Sequence, residues 1–170
     1  PNDAHGYQAL YSNTTGTNNV GIGYQSLYSN TIGVGNVGVG YQALFTNSTG
    51  VSNTAVGYQA LGTVSTGSGN TAMGTSALLN NTASYNTAFG GGALRANSSG
   101  TPNDAFGYGA LYSNTTGAYN CAVGYQSLYA CTTGTGNAAF GGQALQSNVT
   151  GYDNVAVGVN ALNAATNYGN

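Results

Sequence analysis

Charge is what this chain most lacks. Of 170 residues, only Arg95, Asp3, Asp104 and Asp153 carry a formal charge at pH 7, and His5 is the single histidine. Soluble domains ordinarily carry about a quarter of their residues charged. One basic side chain leaves no footprint for a phosphate backbone, so nucleic acid is not an expected partner. Solubility has to rest on uncharged Asn, Thr, Ser and Gln, and association should respond little to salt. Long apolar runs are missing as well. No stretch approaches the ~20 residues that cross a bilayer, so membrane insertion is not expected of this segment. No secretory leader is visible, and the chain begins at Pro1, which reads as a processed or excised piece.

What is present is a repeat. Glycines at 6, 23, 40, 57, 74, 90, 107, 124, 141 and 158 anchor ten copies of a phrase best seen in Gly57-Tyr58-Gln59-Ala60-Leu61. Successive anchors lie 17 residues apart, with one shorter step between Gly74 and Gly90. Four residues after each anchor stands a leucine: Leu10, Leu27, Leu44, Leu61, Leu78, Leu94, Leu111, Leu128, Leu145 and Leu162. Four residues before it stands an asparagine: Asn2, Asn19, Asn36, Asn53, Asn70, Asn86, Asn103, Asn120, Asn137 and Asn154. A fixed short period with fixed apolar and turn positions predicts a solenoid in which one repeat makes one coil.

Each repeat reads as strand, bend, strand, turn. Small and large residues alternate before the anchor, as in Asn53-Thr54-Ala55-Val56, which is the period of a strand. The large residue just before the anchor is expected to share the core with the leucine. A second, shorter strand is expected around Ala60-Leu61. The Ser-Asn-Thr-Thr-Gly stretch that follows is a predicted turn, with Asn, Ser and Thr bonding nearby backbone and Gly accepting positive φ. The missing residue of the short step is placed in this turn, between Ser84 and Asn86, where no strand loses register. One repeat cannot bury enough apolar surface to fold alone. Stacking ten at ~4.8 Å gives a rod on the order of 48 Å long, in which Leu, Asn and Gln (Gln8, Gln25, Gln42, Gln59) form ladders. The expected fold class is all-β, a parallel β-roll or β-helix over residues 1–170.

Tyrosines recur in two columns. Tyr7, Tyr24, Tyr41, Tyr58, Tyr108 and Tyr125 follow the anchors, and Tyr11, Tyr28, Tyr112 and Tyr129 follow the leucines. They suit packing between neighbouring chains, or over the roll's own groove. Alternatively they form a stripe on which a surface glycan or a protein receptor stacks; packing is the preferred reading. Asn-x-Ser/Thr sequons at Asn13, Asn47, Asn97, Asn114 and Asn148 share one repeat position in the turn, and another lies at Asn80. They read as turn formers, or as a sugar-bearing edge in a glycosylating host. Cys121 and Cys131 fall within one repeat and read as two small, partly buried thiols. A disulfide depends on a Cα separation that sequence does not supply. Neither a metal nor a cofactor is expected.

The ten Asn-x-Ala/Gly-Val/Ile/Phe-Gly segments resemble the head repeats of YadA-like trimeric autotransporter adhesins. The fuller Asn-Thr-Ala-Val-Gly-Tyr-Gln-Ala-Leu phrase is similar to repeats of phage and bacterial tail-fibre-type proteins. That resemblance extends from Asn2 to about Asn167 and implies a left-handed parallel β-roll of three identical chains, displayed outside the cell or on a virion. The period is longer here than in the adhesin heads, which implies a larger turn.

Catalysis by general acid and base needs titratable groups within hydrogen-bond reach. His5 stands alone in the first repeat, and the aspartates fall in separate repeats, so no enzyme is expected. A non-enzymatic structural and adhesive extracellular fibre segment is the leading expectation. A self-assembling filament is the second, because the end repeats, Asn2 to Leu10 and Asn154 to Asn170, lack a polar cap. An ice-binding hydroxyl array at pairs such as Thr14-Thr15 and Thr115-Thr116 is third, interrupted by Ile32, Val149 and Asn167.

Overall fold

The computed structural model describes residues 1–164. Asn167 and the rest of the last repeat lie outside the described residues. Each repeat contributes one short strand: β1 Asp3–His5, β2 Val20–Ile22, β3 Val37–Val39, β4 Thr54–Val56, β5 Thr71–Met73, β6 Asn86–Phe89, β7 Asn103–Phe106, β8 Asn120–Val123, β9 Ala138–Phe140 and β10 Val155–Val157. All ten lie side by side in chain order in one parallel sheet. Equivalent residues pair throughout, as Gly21 with Gly38, Ala55 with Ala72 and Ala105 with Ala122. The fold is an all-β parallel solenoid. Nine steps of ~4.8 Å give a rod of ~43 Å along the stacking axis.

The expected second strand does not form. Gln59 and Leu61 have φ of 53° and 49°, and the equivalent leucine is left-handed in every coil from Leu10 to Leu162. Left-handed backbone in a non-glycine residue costs about 1–2 kcal/mol, and it curls the chain where a strand would extend. Hydrogen bonds between coils survive the curl: Leu61 N–H donates to Ala77 C=O at 3.0 Å and Gln59 N–H to Tyr41 C=O at 2.9 Å. The curl also turns the leucine inward. Leu27 through Leu145 form a fully buried column, Leu10 is 8% exposed, and Leu162 in the last coil is 38% exposed.

The core partner of that column is the small residue two before the anchor, not the large one beside it. Ala55, Ala72, Ala88, Ala105, Ala122 and Ala139 are fully buried. Ile22, Met73, Phe106 and Phe140 are about 40% exposed, and Val39, Val56, Phe89 and Val123 are half-buried on the same outer side. Alternation along a strand puts neighbours on opposite faces. With leucine filling a narrow interior, the strand can turn only a methyl group or a glycine inward.

Glycine is required at two positions. The anchors hold φ of 123–140°, and a Cβ on Gly57 would sit 2.7 Å from the carbonyl oxygen of Gly74 in the next coil. The turn glycines differ from expectation: Gly16, Gly33 and Gly50 do not adopt positive φ. A Cβ on Gly50 would lie 2.3 Å from Asn47 Oδ1 and 2.4 Å from Gly67 O, so close approach makes the demand. Positive φ occurs two residues later, at Asn18, Gly35, Ser52 and Gly69.

The short step also falls elsewhere within the turn. Asn97 Nδ2 reaches Gly100 O three residues on, whereas Asn81 Nδ2 reaches Ala83 O only two residues on. The lost residue therefore lies between Asn81 and Ala83. Ser84 has already regained register, its Oγ accepting from Ser68 N–H.

Candidate functional site

Two amide columns run through the interior and set the outer faces. In the first, each asparagine before an anchor accepts through Oδ1 from the backbone N–H of its successor. Asn36 N–H reaches Asn19 Oδ1 at 2.9 Å, and Asn70 N–H reaches Asn53 Oδ1 at 3.0 Å. Away from the short step its Nδ2 donates to the turn glycine ahead, as Asn36 does to Gly50 O at 2.8 Å. The column begins at Asn2, whose Oδ1 accepts from Asn19 N–H, and reaches Asn154, whose N–H donates to Asn137 Oδ1. Buried amides are stable only when paired, and stacking pairs them.

The second column was legible only as sequons. Asn30 Nδ2 donates to Asn13 Oδ1, Asn47 Nδ2 to Asn30 Oδ1, and Asn114 Nδ2 to Asn97 Oδ1, at 2.8–3.0 Å. Asn47, Asn97, Asn114 and Asn148 are buried, and Asn13 is half-buried with its Nδ2 on Gly16 O. A glycan on Nδ2 would displace these bonds and find no exit, so the folded rod corrects the sugar-bearing reading at the four buried positions. Asn80 is exposed. The signal that sequence offered was the 17-residue recurrence itself, shared with the first column.

Cys131 occupies this second column, is buried, and has its thiol pushed up to about 11 by burial. Cys121 lies on the outer sheet face, its thiol raised by burial and then by the carboxylate of Asp104. Both are free thiols. The hydroxyls of Thr14, Ser48 and Thr115 donate to the carbonyls of Thr31, Ser65 and Thr132 in the next coil. These hydroxyls are therefore engaged within the rod. His5 is not alone: its Nε2 lies 2.8 Å from Asp3 Oδ1, both on the outer side of β1 and mostly exposed. Asp104 and Asp153 stand in other coils. Among the described residues no three His, Cys, Asp or Glu side chains gather at one point.

The bend at each anchor divides the outside into two faces. One is the outer side of the sheet, with its stripe from Ile22 through Phe140. The other follows the bend and carries the aromatic columns. Tyr7, Tyr24, Tyr41 and Tyr58 stack in sequence with centroids 5.3, 5.2 and 5.0 Å apart. Tyr108 stacks on Tyr125 at 5.8 Å. In the second column Tyr11, Tyr28 and Phe45 stack at 5.2–5.3 Å, and Tyr112 stacks on Tyr129 at 5.1 Å. Between the tyrosines runs the glutamine ladder, Gln25 Nε2 to Gln8 Oε1 at 2.8 Å and Gln59 Nε2 to Gln42 Oε1 at 3.1 Å.

Both aromatic columns break near mid-rod, and the breaks make concavities. One, of about 340 Å³, is lined by Gln42, Phe45, Thr46, Gln59, Gly62, Thr63 and Leu79. The other, of about 210 Å³, is lined by Thr75, Ser76, Gly91, Gly92, Arg95, Tyr108 and Tyr112. Arg95, the only strong cation, stands where other coils carry a ring. Its Nη1 donates to Tyr112 Oη at 3.2 Å, and its guanidinium carbon lies 5.7 Å from that ring's centroid.

The architecture defines a β-solenoid with one sheet face that carries an apolar stripe and one aromatic and amide face. In comparisons with known proteins, the chain matches no family model, no curated protein and no solved structure.

Proposed function

We propose that this chain is a non-enzymatic structural segment of an extracellular or virion-surface fibre, associating side by side and presenting its aromatic face to a surface. The observation that carries the reading is the apolar stripe outside the sheet. It runs unbroken from Ile22 through Val39, Val56, Met73, Phe89, Phe106, Val123 and Phe140, and these side chains point away from their own core. With the row two residues before it, Val20, Val37, Thr54, Thr71, Thr87, Asp104, Cys121 and Ala138, this outward face of β2 to β9 is ~34 Å long and presents on the order of 300 Å². That is the scale at which an exposed patch marks a contact surface. Association in threes is what the adhesin resemblance implies.

Chain-to-chain packing is thus assigned to the sheet rather than to the tyrosines. A tyrosine stacked above and below already has its ring faces covered. In the stripe Phe89 and Phe106 stack on each other at 5.2 Å, while the aliphatic side chains on either side present their outer surfaces uncovered. Asp104 is the one formal charge on this face between β2 and β9, so contact there desolvates little charge.

Sedimentation equilibrium tests it. The wild-type chain should sediment as a trimer, and Phe106→Glu should release monomer while keeping the β circular dichroism. A wild-type monomer at micromolar concentration would refute the assembly.

A further inference from the structure

Around Arg95 three repeat features fail together in two successive coils; elsewhere they fail together in the coil anchored at Gly158, at Val159, Asn160 and Asn163. In the coils anchored at Gly74 and Gly90, Thr75 and Gly91 replace the tyrosine after the anchor. Ser76 and Gly92 replace the glutamine, and Leu79 and Arg95 replace the aromatic residue after the leucine. Removing those side chains from a continuous surface leaves a step, and Tyr108 and Tyr112 of the next coil close its end.

The chemistry of that step is specific. Tyr108 stacks on Tyr125 on one side, while on the other a Cβ on Gly91 would lie 3.4 Å from ring atom Cδ2. A ring carried at 91 would therefore stack on Tyr108, and glycine leaves that place open. Beside it, Arg95 is braced by Tyr112 through one neutral hydrogen bond, and among the described residues it forms no ion pair. Guanidinium presents five donors in a fixed fork that matches a carboxylate. The hydroxyl residues Thr75 and Ser76 line the opposite wall. At about 210 Å³ the recess falls below the ~300–1,000 Å³ of drug-sized sites, a size for one small ring.

We propose that the recess binds an acidic saccharide, with one sugar ring lying on Tyr108 where other coils place a tyrosine, its carboxylate held by Arg95 and its hydroxyls directed to Thr75 and Ser76. An aromatic ring suits the C–H face of a sugar, and a half-buried cation suits its carboxylate. The inference rests on the reading of the chain as a surface-contacting fibre and supplies its ligand class. Neither column alone would make such a site, because intact stacks cover their own rings and carry no charge.

Nitrogen-15-labelled protein titrated with D-glucuronate, D-glucose and acetate tests it. Glucuronate should shift the amide resonances of Gly91, Gly92 and Arg95, with glucose and acetate each binding at least tenfold more weakly. Arg95→Gln should weaken glucuronate at least tenfold without lowering the thermal midpoint. Gly91→Tyr restores the common repeat residue at a position without positive φ, and should abolish binding by filling the recess. Equal binding of acetate would reduce the recess to a simple anion site. Equal binding of glucose, shifts confined to the other tyrosines, or indifference to both variants would overturn the proposal. Sedimentation of the same samples reads the fibre assembly separately, so either idea can fail while the other stands.

Discussion

The second amide column shows what one residue does to a ladder. Each asparagine donates backward to the preceding Oδ1, so a coil that lacks the amide leaves its predecessor's acceptor unmet. Among the described residues the buried side-chain acceptors without a partner are Asn47 Oδ1 and Asn114 Oδ1, and the next residues in the column are Val64 and Cys131. Cys131→Asn should supply the missing donor while giving up little apolar surface. A rise in stability of about 1–2 kcal/mol is expected, read as a higher thermal midpoint. Val64→Asn should gain less, because burying a valine is worth ~1.5–3 kcal/mol and offsets the new bond. The thiol also predicts a pH dependence. Its folded pKa is raised from 9.0 to about 11, so the unfolded chain loses the proton first. The contribution is complete below pH 9 and is lost as pH rises toward 11. The fall in melting temperature over that window should therefore be shallower in Cys131→Asn, and comparing the two proteins isolates the thiol from every other titration.

At the scale of the coil, the anchor glycine decides whether repeats can stack. Its φ lies in a region that L side chains avoid, and the neighbouring glycine's carbonyl fills the space of a Cβ. Gly57→Ala should cost several kcal/mol and broaden the thermal transition by dividing the rod. Gly142→Ala is the matched control: it follows an anchor, lacks positive φ, and its Cβ would come no closer than 4.0 Å to Tyr125 O. It should melt within about 0.5 kcal/mol of wild type. The strand beside the anchor shows the same economy. Three residues suffice in most coils because the left-handed leucine corner continues the inter-coil hydrogen bonds without extended backbone.

For the whole molecule, a net charge of −2 spread over 170 residues leaves association to apolar contact. Screening lengths run from about 30 Å at 0.01 M salt to 3 Å at 1 M. An interface held by ion pairs would weaken across that range. The proposed sheet-face contact should hold its association constant or tighten, which sedimentation in graded sodium chloride measures. Mild heating from low temperature should strengthen it too, since apolar burial weakens on cooling.

The recurrence of Leu, Asn and Gly at one spacing was enough to read a parallel solenoid, its register and its amide ladder, because stacking is local and every coil solves the same problem. The sequence points to the right turn for the single-residue loss but a few positions too far along, since Thr82, Ala83 and Ser84 all suit a turn and only the hydrogen bonds of Asn81 and Ala83 separate them. The large residue before the anchor is expected inward and lies outward, because alternation gives two faces without saying which is the core. The left-handed leucine answered that, by filling the interior so fully that only alanine or glycine fits opposite. Burial of the sequon asparagines was likewise decided in three dimensions, since a turn-forming asparagine and a ladder asparagine are spelled alike. The recess at Arg95 is the sum of six substitutions that are adjacent only once the coils are stacked. Sequence by itself determined the period and therefore the rod, while the direction each side chain faces, and with it every surface that could meet a partner, was set by how one coil closes around its leucine.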